Sequence, residues 1–272
     1  MPNVSNGQIV LVLLAAAFFG VGGILSALRV WTQQERYRPA MRVCLAGGIA
    51  LSIGAILWHA QTRRQWLPIN DNFDALVWLA ALLALFVAYV QGRRPLPGLE
   101  WFIMPVVILL LISAAVFGRL APHDYKTVGK DTWLWVHSAT AYGGAAVFAI
   151  AAAMGGLYMM SSRLLRRKKS PPLKFASLER LEHMMMASVT IGFALLTIGT
   201  VTGFVRMFEQ TQKPAHTKLL LAMLAWAVYA VVMHSPINPV FRGRRAAMLS
   251  IFGFVLMIGT LIAVQFMPGG NG

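Results

Sequence analysis

Eight stretches of this chain, roughly 8–28, 41–60, 74–91, 101–118, 133–160, 185–205, 217–234 and 247–266, are long and apolar enough to cross a lipid bilayer. A hydrocarbon core about 30 Å thick needs about 20 apolar residues at 1.5 Å of helical rise each. The pattern predicts an all-α fold, a polytopic membrane helix bundle of about eight transmembrane helices. Composition agrees: 58% of residues are hydrophobic and 12% charged, where a soluble domain carries about a quarter charged. No soluble domain is inserted, so residues 1–272 read as a single integral membrane domain. The first segment does not read as a cleavable signal, because MPNVSNG carries no basic residue.

The net charge of +15 is a topology signal rather than a nucleic-acid footprint. Lysine and arginine sort 16 to 8 between alternate connections. The richer set holds 4, 2, 7 and 3 of them in loops 28–42, 92–100, 161–184 and 235–246. The poorer set holds Arg63 and Arg64; Arg119, Lys126 and Lys130; and Arg206, Lys213 and Lys218. The richer loops belong in the cytoplasm, which leaves both termini on the outer side. A bacterial inner membrane is the expected location. No basic face interleaved with aromatics exists to read bases, so no nucleic-acid partner is expected. Cys44 is the one cysteine, which rules out a disulfide, a CxxC redox pair and a CxxCH haem attachment.

The longest polar stretch, RLLRRKKSPPLKFASLERLEH at 163–183, has a basic cluster, a Pro-Pro break and then a helix start capped by Ser177, with Glu179 and Glu182 in the first turns. It reads as an anchor for anionic lipid headgroups, with a docking site for a soluble partner as the alternative. Gly199 and Gly203 lie four apart, as do Ala141, Ala145 and Ala149, and Ala152 and Gly156. Such spacing lets helix backbones approach closely. Ordinary packing explains it, and small faces on two successive helices would also leave room for a flat ligand.

The topology sorts the histidines. His59, His123, His137 and His216 fall on the outer side, and His183 and His234 on the inner. His137 sits about one turn below the outer surface, inside a 133–160 run that holds no charged residue. An imidazole there is a functional candidate by default, while Trp133 and Trp135 before it form an interfacial belt. His234 lies roughly 25 Å deeper at helical rise, so the two cannot share a metal. Duller roles are open to the others. His59 and His234 can rest at headgroup level with the ring tip in water. His123 in APHDYK can be a solvated loop residue, and His183 can cap a helix or pair with Glu179. His216 follows Pro214 in KPAHTK. Outer histidines, aromatics and a groove of small residues suit haem, which takes axial His or Met. Zinc competes, but nearby carboxylates are few (Asp71, Asp74, Asp124, Asp131 and Glu209) and no HExxH occurs. Hydrolase signatures are absent. No span is expected to carry a buried charge or a broken Pro/Gly helix, which ranks a small-molecule transporter last.

In order along the chain stand LPINDNFDALVWLA (67–80), WLWVHSATAYGGAAVFAIAAAMGGLYMM, LERLEHMMMASVTIGFALLTIGTVTGFV with its GFxLLTIGxxxG core at 192–203, WAVYAVVMH and FRGRRAAMLSIFGFV. Over roughly 66–266 they resemble the cytochrome c assembly proteins of the CcsA/CcmC type, including HemX-like members. The resemblance implies haem b held non-covalently, with His137 as an outer-face ligand and His234 as the histidine near the inner face. It implies a role accessory to c-type cytochrome biogenesis, with haem and another assembly membrane protein as partners. Two family features depart. No tryptophan occurs between Gly203 and Trp226, and QFMPGGNG after the last span holds no histidine. Enzymatic haem attachment is therefore left open, and a HemX-like regulator or scaffold for a cytoplasmic haem-synthesis enzyme is the alternative. A ligand opposite His137 falls first to His216, with Met207, Met267 or His59 behind it.

Overall fold

The computed structural model describes residues 4–32, 34–63, 72–93, 95–117, 132–166, 177–209, 216–234 and 242–266, and among these the regular structure is all helical. The helices are α1 (Asn6–Thr32), α2 (Tyr37–Arg63), α3 (Asn72–Arg93), α4 (Leu99–Phe117), α5 (Thr132–Arg166), α6 (Leu178–Glu209), α7 (His216–Met233) and α8 (Arg244–Phe266). Among the described residues, α1 to α6 each contain a stretch long and apolar enough to cross a membrane, and α7 adds the shorter Ala222–Met233. The protein is a polytopic helical membrane protein.

Several helices outlast their apolar runs. α5 has 35 residues and α6 has 32, about 50 Å of rod apiece. Serines and arginines such as Ser161, Ser162, Arg163 and Arg166 continue α5 past the apolar core. The termini carry the expected caps. Ser177 Oγ accepts the Arg180 amide at 3.3 Å. At α1, the Ser5 amide donates to Gln8 Oε1 at 2.9 Å and the Gln8 amide to Ser5 Oγ at 3.3 Å, a reciprocal capping box. Pro105 lies inside α4 without ending it.

Helices α1 to α4 gather into one compact unit and α5 to α8 into another. In the first, α1 packs on α2 and α4, and α3 on α2 and α4. Phe19, Phe73, Leu83, Leu99, Ile103 and Leu111 are fully buried there. Opposite this core, Val10, Leu13, Leu14, Val21 and Ile24 of α1 are exposed and apolar, a face made for lipid. Among the described residues two carboxylates are buried, Asp74 and Glu100. This corrects the expectation of no buried charge. Both stand in the first turn of a helix, where the helix dipole favours an anion.

In the second unit α5 packs on α6 and α8, and α7 on α8 and α6. The Phe148 and Tyr229 rings stack at 3.5 Å and 11°. A Cβ at Gly192 would lie 2.7 Å from Phe148 and one at Gly253 2.9 Å from Tyr229. These glycines admit the stacked rings. Tyr229 donates its hydroxyl proton to the Ser250 carbonyl at 3.3 Å. At the start of α8, Gly243 takes φ of 60°, a left-handed conformation that a side chain would strain. Its amide donates to Glu182 Oε1 of α6 at 3.1 Å.

Candidate functional site

Close packing of α5 on α6 positions His137. Its Nδ1 lies 2.8 Å from the Gly199 carbonyl oxygen. A carbonyl can only accept, so Nδ1 carries a proton, and the tautomer with that proton has its lone pair on Nε2. The ring is half-buried. It rests against Gly203, where a Cβ would lie 3.0 Å from His137 Cε1 and 3.1 Å from Nδ1. One turn away, a Cβ at Gly199 would meet Thr140 Oγ1 at 3.1 Å. That hydroxyl donates to the Val136 carbonyl at 2.7 Å and the His137 carbonyl at 3.1 Å. Thr202 Oγ1 donates to Ile198 O at 2.8 Å and approaches Gly199 O at 3.1 Å. The small-residue face thus receives Thr140 and the imidazole itself, not a flat ligand slipped between the helices.

An Nδ1–H bound to a backbone carbonyl is the usual outer partner of a metal-ligating histidine, because it fixes the tautomer and strengthens the donor nitrogen. The half-buried position and free choice of Nε2 suit one axial haem ligand. Exposed Trp133 lies one turn earlier on α5.

The other histidines differ. His59 is 1% exposed, which corrects the expectation of a ring tip in water. Its Nδ1 meets Asp74 Oδ1 at 2.8 Å, joining α2 to α3, and the Phe73 ring approaches edge-on at 5.0 Å. So enclosed, His59 has no surface to offer a haem iron. His234, at the end of α7, is exposed and shares a proton with its own helix, Nδ1 to Ala230 O at 2.7 Å. His183 is exposed on α6, while its neighbour Glu182 caps α8. His216 begins α7, but its side chain lies outside the described residues, as do that of Met207 on α6 and the whole of His123 and Met267. Among the described residues no three His, Cys, Asp or Glu side chains come together to hold a metal. Sequence reasoning missed two partners, the Gly199 carbonyl and the Asp74 carboxylate. A histidine on one helix facing Gly-xxx-Gly on the next was the available signal for the first.

Residues 66–270 match the family described as Cytochrome C assembly protein. The chain belongs to this family. Asp74, His137, His216 and His234 fall inside the matched region and His59 before it. Similar curated proteins are named Cytochrome c biogenesis protein CcsA. One, from Prochlorococcus marinus strain MIT 9215, is 27% identical over 174 residues, covering 63% of this chain and 52% of that relative. So the chain spans about half the length of that protein. Another, from strain MIT 9312, is 27% identical over 232 residues, 75% of this chain and 74% of the relative. The Guillardia theta protein is 22% identical over 245 residues, with 81% and 80% covered. No solved structure matches.

Proposed function

We propose that this protein is a haem-handling membrane factor accessory to c-type cytochrome biogenesis, and that His137 is one axial ligand of its haem. The observation that carries the reading is the Nδ1–Gly199 hydrogen bond of 2.8 Å, which leaves Nε2 as donor. Membership of the cytochrome c assembly family supports the pathway. Haem b, bound without covalent attachment, would supply the iron that Nε2 ligates. Protein groups then hold and orient: Gly199 fixes the tautomer, Thr140 locks the α5 turn beneath the ring, and the outer tryptophans set its depth. His216 opens α7 in the same unit and is the first choice for the opposing ligand. Met207 is the rival, because Gly199, Gly203 and Met207 are spaced four apart on one face of α6.

The absence of tryptophan between Gly203 and Trp226 favours holding haem for another assembly protein over attaching it. His234 lies at the opposite end of the topology from His137 and is the ligand of any inner haem contact. The site of action is the cytoplasmic membrane of a bacterium. A second reading, a HemX-like scaffold for a haem-synthesis enzyme, draws on the seven Lys and Arg of loop 161–184. Crosslinking from that loop in cells recovers such an enzyme if this reading holds.

The deciding experiment is the visible spectrum of the purified full-length protein loaded with haem. His137→Ala is expected to lose most bound haem and its Soret band. An unchanged spectrum and occupancy overturn the proposal.

A further inference from the structure

Gly199 and Gly203 look like packing residues, yet what lies on Gly203 is not an apolar side chain. It is the Cε1–Nδ1 edge of His137, the edge that carries the proton given to Gly199. A methyl group at 203 would stand 3.0 Å from Cε1 and 3.1 Å from Nδ1, inside ordinary contact distance. The ring would have to tilt or slide by a few tenths of an ångström. Its hydrogen bond, already short at 2.8 Å, would lengthen and bend, and such bonds weaken steeply with angle. The acceptor cannot follow, because Gly199 O belongs to the α6 backbone and is also approached by Thr202 Oγ1.

We infer that Gly203 is a positioning residue for the His137 site: its missing side chain lets the imidazole bind the Gly199 carbonyl, and that bond sets the donor strength of Nε2. The inference rests on the reading of His137 as a haem ligand and deepens it. An imidazole whose N–H is engaged by a carbonyl carries more electron density on its other nitrogen. A stronger donor favours ferric over ferrous iron, so the bond lowers the haem midpoint potential.

Two measurements test this on the full-length protein in lipid nanodiscs loaded with haem b. In Gly203→Ala, haem affinity is expected to fall about tenfold, the scale seen when an outer partner of a metal ligand is lost, and the potential to move positive. Native affinity, spectrum and potential in this variant overturn the inference. The second arm reads the bond directly and serves if Gly203→Ala fails to fold. His137→Gly is supplied with imidazole or with 1-methylimidazole; both can ligate iron, but only imidazole keeps an N–H for Gly199. The inference expects the 1-methylimidazole complex to show the more positive potential. Equal potentials overturn it. If His137→Gly retains its axial ligand with nothing added, the haem assignment of His137 fails as well, which separates the two claims.

Discussion

Removing one side of a buried polar pair costs more than removing both, since the survivor loses a hydrogen bond in an apolar setting. His59 and Asp74 are such a pair, 2.8 Å apart and nearly inaccessible. His59→Leu is expected to destabilise the protein by about 2 kcal/mol, and adding Asp74→Leu to recover much of that loss. Thermal unfolding in detergent checks both; a double variant as unstable as the single one would show the pair does not act as a unit. Sequence alone leaves His59 open between a ring at headgroup level and a reserve ligand, because its partner lies in the next helix. Apolar runs on both sides do not reveal which flank faces protein. His137 was legible as a candidate because charge sorting placed it on the outer side of a run that holds no acidic or basic residue besides it. Its acceptor was not, for a backbone carbonyl has no letter of its own.

Among whole helices, the close approach of α5 and α8 leaves little room for a side chain. A Cβ at Gly155 would stand 3.0 Å from the Ala247 carbonyl oxygen and 3.3 Å from its Cα. Backbone cannot swing aside as a side chain can. Gly155→Leu should therefore cost about 3 kcal/mol, the upper range for overpacking, and lower the unfolding temperature. A stability equal to the parent would show that α8 can shift freely. Helix existence was readable from run length alone, and every predicted span lies within a helix or overlaps all but its ends. Helix faces were not. In α1, Val12 is wholly buried while Leu13 and Leu14 are exposed. Lipid and protein interior are equally apolar, so such neighbours look alike in sequence. The cap at Ser177 was visible because its hydroxyl has a specific task there.

The grouping of α1 to α4 and α5 to α8 into two compact units left no mark in the composition, since both halves are equally apolar. The charge asymmetry does make a claim about the whole molecule. In a Cys44→Ser background, a cysteine placed at 170 is expected to react with an impermeant maleimide only after the membrane is opened, and one placed at 272 in intact cells. The opposite pattern would invert the bundle and move His137 to the inner side. Chain order adds a further consequence through Glu182 and Gly243. Domains are made and folded from the N-terminus during synthesis. The carboxylate that receives the Gly243 amide just before α8 sits 61 residues upstream, on a helix that has left the ribosome long before. The last helix therefore arrives to find its acceptor waiting. A nascent chain lacking that carboxylate, as in Glu182→Ala, would be held longest with its final segment undocked, where membrane proteases act.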